Sequence, residues 1–242
     1  MSWISEWAAH LHGQMSVDGF LQLTSLTEHK IDHRDSGPKS VSEKSQEEAA
    51  TAVFNERLRS ALASPSEVAA VVDFWREAGP DLWFAKDPDF DRRFRERFLS
   101  WHRAASCGEL AAWPTTPQGA LALVLLLDQF PRNAFRGTPR MYHTDAMARE
   151  VAAVAIAAGH DRRVGDSLRP FFYLPYGHSE DLADQDRSVA LNRTLGEPHL
   201  SHAVRHREIV RRFGRFPHRN AILGRIMRKE EQKFLDAGGF AG

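Results

Sequence analysis

At 242 residues, 42% hydrophobic and 26% charged, the chain has the composition of a soluble globular protein and enough length to bury a substantial core. Basic and acidic residues number 32 each, so no global field favours nucleic acid or an anionic membrane. The single cysteine, Cys107, excludes an intramolecular disulfide and fits a reducing compartment.

The N-terminus, Met1-Ser-Trp-Ile-Ser-Glu-Trp, has no basic stretch and no long apolar run, so it does not read as a signal peptide. Trp3, Ile4, Trp7 and Leu11 give residues 1–12 the spacing of a short amphipathic helix. Its polar face holds too little positive charge for a membrane-surface helix, so a packing arm is the better reading. Periodicity fades over the polar stretch that follows, and residues 1–45 read as an N-terminal arm or linker, with 46–242 as the domain.

Helical signals then follow closely. Gln46 to Leu62 carries apolar residues at helical spacing, and Ser64-Pro-Ser-Glu67 is a capping box with proline at the first helical position. Behind it Val68, Val71, Val72 and Trp75 form a stripe that Gly79-Pro80 stops. Asp87-Pro88 opens the next helix, striped by Phe90, Phe94, Phe98, Trp101 and Ala105 and closed near Gly108. Cys107, just before that stop, reads as a packing residue, because a helix C-terminus disfavours a thiolate. Thr116-Pro117 starts a helix that is apolar all round from Ala120 to Leu127, so it is the central one. That run is far shorter than the roughly 20 residues that span a bilayer. Thr144 is expected to cap Asp145 to Ala158, and Ser179 to cap Glu180 to Leu195. His199 to Phe213 is a further helix, stopped by Gly214, and Lys229 to Leu235 a short last one. No segment alternates with period two, so the chain reads as all-α, in stacked antiparallel helix pairs.

Two segments echo each other. Asp128-Gln-Phe-Pro-Arg-Asn-Ala-Phe-Arg136 and Arg211-Arg-Phe-Gly-Arg-Phe-Pro-His-Arg-Asn-Ala-Ile-Leu-Gly-Arg225 both run through Phe-Pro to Arg-Asn and on to another arginine. The second lies in a local basic excess. From Arg205 to Lys229 there are eight arginines and one lysine against Glu208 alone. With Tyr173-Leu-Pro, His178-Ser-Glu-Asp181, Gln185 and the run from His206 to Arg225, these motifs resemble a bacterial domain-of-unknown-function family. Val72-Asp-Phe-Trp75 and Trp83-Phe84 match its opening, and the resemblance covers roughly residues 65 to 240. It implies an all-α, tetratricopeptide-like fold and no particular activity. After Arg225 the family pattern continues with an acid and then hydroxyl residues, whereas this chain has Ile226-Met-Arg228. No role is therefore carried onto position 226, and the last helix loses a natural cap.

His202 and His206 fall within roughly 60° of Ile209 and Phe213 on a helical wheel, so both are expected on one apolar face. Their i, i+4 spacing suits a metal pair, with His178 and Glu180 or Asp181 to complete it. The surrounding arginines would repel a cation, and no metal site is expected.

The structural reading pairs Arg132, Arg136, Arg215, Arg219 and Arg225 with Asp128 and the acidic turn Glu180, Asp181, Asp184 and Asp186, pinning helices together. The functional reading adds a vacancy: if arginines outnumber buried carboxylates, the remainder holds a small anion, a carboxylate or a phosphate. Asp128, Gln129, Asn133, Gln185 and Asn220 would complete the ligand-binding set. His178, His206 and His218 would be the acid–base candidates near neutral pH. One polar cavity is expected from the 128–136 loop, the 178–185 turn and the 211–225 segment. A cytoplasmic location is expected, with a small anionic partner and no cofactor assigned; neither nucleic acid nor membrane is expected. The rival is a protein-interaction scaffold in which these motifs are purely structural.

Overall fold

The structure, a computed structural model, describes residues 65–242. The expected N-terminal helix, the arm, the 46–62 helix and the Ser64 cap lie outside the described residues. Within them every regular element is helical.

Helix α1, Pro65–Trp83, breaks at Gly79, which sits at φ 69°, and resumes at Pro80. The expected stop is thus a kink. Trp83 Nε1 donates to Trp75 O at 2.6 Å, holding the two arms together. Helix α2, Pro88–Ser106, opens as expected, with Asp87 accepting from Phe90 N. Its aromatic stripe stacks on α1: Phe94 lies 5.3 Å from Phe74 and 5.4 Å from Trp75. Cys107 caps α2, but its side chain is exposed rather than packed.

The central rod begins with α3, Pro117–Val124, capped by Thr116. Every residue from Ala120 to Leu127 is fully buried, as a helix lacking a polar face requires. The rod continues through a π-helical turn, Leu125–Gln129, into α4, Phe130–Ala134. Pro131 explains the turn. It has no N–H to donate backwards, so the helix widens and Phe130 N reaches Leu125 O, five residues back. The freed carbonyls find side chains: His102 Nδ1 lies 2.9 Å from Leu126 O, Thr144 Oγ1 donates to Leu127 O at 2.5 Å, and Arg132 Nη1 donates to Asp128 O at 2.6 Å. Thr144 therefore stands before α5, Asp145–Ala157, without capping it. Its hydroxyl belongs to the rod instead.

Helix α6, Leu174–Gly177, crosses beside α5 and leads to His178. Helix α7 is shorter than expected, Leu182–Asn192, with Asp181 rather than Ser179 as its cap. Ser179 is otherwise engaged, since its hydroxyl donates to Asp184 Oδ2 at 2.6 Å and accepts from Asp181 N. Helix α8, His199–Phe213, lies along α7 and ends at Gly214, left-handed at φ 72°. Helix α9 is Lys229–Asp236. Two apolar clusters result. The large one spans α1 to α6, and a small one joins Ile209, Val210, Phe213 and Phe216 to Phe234 and Phe240.

Candidate functional site

The π turn sets Asp128 at the buried end of the central rod, with no exposed surface. An isolated carboxylate there would be untenable. Its oxygens are met by His178 Nδ1 at 2.8 Å, Gln129 Nε2 at 2.5 Å and Arg132 Nη1 at 3.3 Å. Burial alone would raise the carboxyl, but Arg132 and His178 together hold it below the usual carboxylate range. An ionised Asp128 fixes the His178 tautomer: Nδ1–H donates to it, and Nε2 keeps its lone pair. No group among the described residues meets that Nε2. Burial first, and then Arg132, lowers His178, so the ring is neutral at pH 7.

The loop that carries His178 is built by Gln185. Its amide, fully buried, donates to Gly177 O at 2.9 Å and Ser179 O at 2.7 Å. A side chain at Gly177 would press on Ser188 Oγ at 3.3 Å, so the loop sits close against α7. His206 Nδ1 reaches Gly177 O from α8 at 3.2 Å. His202, one turn earlier, is exposed, so the two histidines do not share an apolar environment. Among the described residues no three His, Cys, Asp or Glu side chains are placed to hold a metal ion.

The arginines sort themselves by partner. Arg132 grips Asp145 with two hydrogen bonds, at 2.9 and 3.0 Å, beside its contact with Asp128. Arg136 holds Asp91 through Nε and Nη2, and Asn133 donates to the same carboxylate at 2.8 Å. Arg215 pairs with Glu231 at 2.7 and 2.9 Å, and Asn220 donates to Glu231 at 3.1 Å. Arg225 pairs with Glu180 at 2.9 and 2.8 Å, which also accepts from Phe216 N. The expected counter-charges are thus partly different. Asp181 caps α7, Asp184 pairs with Arg149, and Asp186 only approaches Arg207 at 3.5 Å.

Arg219 is the exception. It is 7% exposed, and among the described residues its guanidinium has no hydrogen bond and no ion pair. Two rings lie against it instead, Tyr142 at 4.6 Å and Phe216 at 4.5 Å from the guanidinium carbon. Burial and then Arg132 depress its pKa, while Asp145 and Glu180 act from a distance to raise it. The five arginines face five carboxylates, Asp91, Asp128, Asp145, Glu180 and Glu231, so the acids are not outnumbered. The vacancy is one of geometry: Asp128 and Asp145 converge on Arg132, and Arg219 is left over.

Phe216 gathers the rest. Its ring lies 5.3 Å from His206 and 5.6 Å from His218, and Phe240 covers both histidines at 4.6 and 5.1 Å. Burial, then His178 and Arg219, push His206 down to about 3; burial, then Arg219, pushes His218 down to about 4. One cluster therefore unites Asp128, Gln129, Arg132, His178, His206, His218 and Arg219. Of the expected cavity lining, Asn133 and Arg136 go elsewhere, to a groove of about 400 Å³ shared with Lys86, Asp91 and Arg95. Arg215 and Asn220 serve the docking of α9. Asp145, Tyr142, Asp91 and Glu231 were not anticipated; only the helix start at Asp145 marked one of them.

The low histidine pKa values have a consequence for stability. In the unfolded chain His206 and His218 titrate near 6.5, so below that pH the folded state binds fewer protons. Stability is then complete above about pH 6.5 and is lost as the pH falls toward 4 and 3. Two such groups set a limiting slope of about 2.7 kcal/mol per pH unit, which their partial exposure reduces to about 1–2. Urea denaturation at pH 7.5, 6 and 5 measures this slope, and His206→Phe should flatten it.

An all-helical protein with a buried arginine–carboxylate network around an Asp–His pair is the class that this geometry defines. The chain belongs to a bacterial family of proteins of unknown function, DUF924, whose profile matches residues 71–239. A solved structure titled as the protein of unknown function ATU0120 from Agrobacterium tumefaciens is similar, with 53% sequence identity and a TM-score of 0.71. The match covers 73% of this chain and 100% of that one. No curated protein matches the sequence. Among the described residues no helix is long and apolar enough to cross a membrane.

Proposed function

We propose that this protein binds a small anion, a carboxylate or a phosphate, at Arg219, with the Asp128–His178 pair beside it as a proton acceptor and donor. The observation that carries the reading is a guanidinium nine-tenths buried, lying against two rings and without an acceptor among the described residues. A buried cation in that state costs stability unless something neutralises it, and a guanidinium presents its donors as a planar fork that suits two oxygens. His178 supports the catalytic extension, because a carboxylate-backed imidazole with a free Nε2 has the arrangement of a general base.

The test is thermal unfolding with and without anions. A ligand at 100 times its dissociation constant adds about 2.7 kcal/mol. Arg219→Met should abolish that gain while leaving the unliganded protein within about 1 kcal/mol of the parent, since no carboxylate touching Arg219 is orphaned. If no phosphate, carboxylate or nucleotide stabilises the parent, the network is architecture alone.

The rival, a tetratricopeptide-like stack that serves as an interaction scaffold, draws support from two exposed apolar side chains, Phe84 at 68% and Ile226 at 87%. It predicts a protein partner lost on Phe84→Ser or Ile226→Ser and indifferent to Arg219→Met. The exposed thiol of Cys107 supports the cytoplasmic assignment under either reading.

A further inference from the structure

The charge of the cluster narrows the choice of anion. Asp128 and Asp145 contribute two negative charges and Arg132 and Arg219 two positive ones, so with His178 neutral the group is balanced. Glu180 and Arg225 cancel as a pair at its edge. A monoanion on Arg219 would leave one uncompensated negative charge in a buried setting, and a phosphate dianion would leave two. The remaining arginines of the network are each held in two hydrogen bonds to a carboxylate, and the ammonium of Lys86 is exposed. Among the described residues of the network no second buried cation is free to meet a dianion.

A proton can restore balance to a monoanion, and His178 is placed to take it. Asp128 already accepts from Nδ1 at 2.8 Å, so a proton added at Nε2 makes an imidazolium that the carboxylate stabilises, and its charge would offset that of an anion on Arg219. The groups facing this ring are Asp128 of the π turn, Arg132 of α4, Asp145 of α5, His206 of α8 and His218 beyond it. The first and third favour the added charge, and the others oppose it until the anion arrives. Apolar rings lie against these groups: Tyr142 and Phe216 at 4.6 and 4.5 Å from the guanidinium carbon, and Phe240 at 4.6 and 5.1 Å from His206 and His218.

We infer that the ligand is a monocarboxylate with an apolar body, bound to Arg219 together with one proton that is taken up at His178 Nε2. The inference rests on the anion-site reading and goes beyond it in naming the class. It predicts that affinity rises as the pH falls from 8 to 6, close to tenfold per unit where His178 takes up its proton only in the complex.

Isothermal calorimetry on the full chain decides it, with acetate, phenylacetate and inorganic phosphate as probes in two pH 7 buffers of different ionisation heat. The expected result is binding of phenylacetate, tighter than acetate, with close to one proton absorbed, and little or no binding of phosphate. His178→Gln should bind more weakly at pH 7, without proton uptake and without the pH dependence; Arg219→Met should lose binding at every pH. Phosphate binding tighter than either carboxylate, and lost in Arg219→Met, would keep the anion site and overturn the ligand class. Carboxylate binding without proton uptake in the parent protein would overturn the role of His178. Absence of heat with all three probes would overturn the site itself.

Discussion

Replacing Arg132 by methionine is expected to cost about 3–5 kcal/mol, on the order of 10 °C in melting temperature for a domain of this size. Arg132 is the one guanidinium that two buried carboxylates share: Asp145 takes both its Nη groups, and Asp128 lies 3.3 Å away. Methionine fills much of the space but leaves those acids facing each other without a cation. It also removes the donor to Asp128 O, one of the carbonyls that the π turn exposes. The deficit should depend on pH in a way that simple loss of packing does not. Without Arg132, burial drives the Asp128 carboxyl upward and His178 is freed from its nearest opposing charge. The folded variant then binds more protons than the unfolded chain between about pH 7 and 4, so its handicap relative to the parent should shrink as the pH falls. Urea denaturation of both proteins at pH 8, 6.5 and 5 gives the comparison. A handicap of constant size would mean that the carboxylates are not what suffers.

Glu231→Ala should be of similar size, about 3–5 kcal/mol, and differently distributed. Glu231 is fully buried and accepts from Arg215 twice, from Asn220 and from Arg228 N. It thereby fastens α9 to the segment that carries His218 and Arg219. Arg215 keeps only the carbonyl of Ile226 when Glu231 is removed. Phe234 and Phe240, which pack on Phe213 and Phe216, then lose their anchor. Hydrogen exchange should rise first in α9 and the residues after it, with α3 and α5 protected until global unfolding. Uniform deprotection would instead mean that α9 is an integral part of the main core. The contrast with Arg219→Met is informative: removing Glu231 strands Arg215 without its carboxylate, whereas Arg219, four positions on, has no ion pair among the described residues to lose.

The helices were legible one by one. Proline after an acceptor side chain at Asp87 and Thr116, glycine at 214, and the unbroken apolar run from Ala120 to Leu127 each act within a few residues, and each appears where chain-local chemistry puts it. Gly79-Pro80 predicts a stop and forms a kink, because Trp83 bonds back to Trp75 across it. Ser179 stands where a cap is expected and is not one, because Asp181 accepts from the first helical N–H groups and Asp184 accepts from the serine.

The sequence alone determined that the chain is helical, which helix is central, and that arginine, histidine and aspartate would meet at the end of it. What it left undecided is which arginine goes with which acid. The pairs join residues 13, 16 and 45 positions apart, and an ion pair is specified by where packed helices place two side chains, not by the type of residue. Arg215, Arg219 and Arg225 are equivalent on the printed chain. Only the folded molecule, in which the π turn brings Asp128 to His178 and the rings of Tyr142 and Phe216 lie against Arg219, makes one of them the arginine without an acid among the described residues.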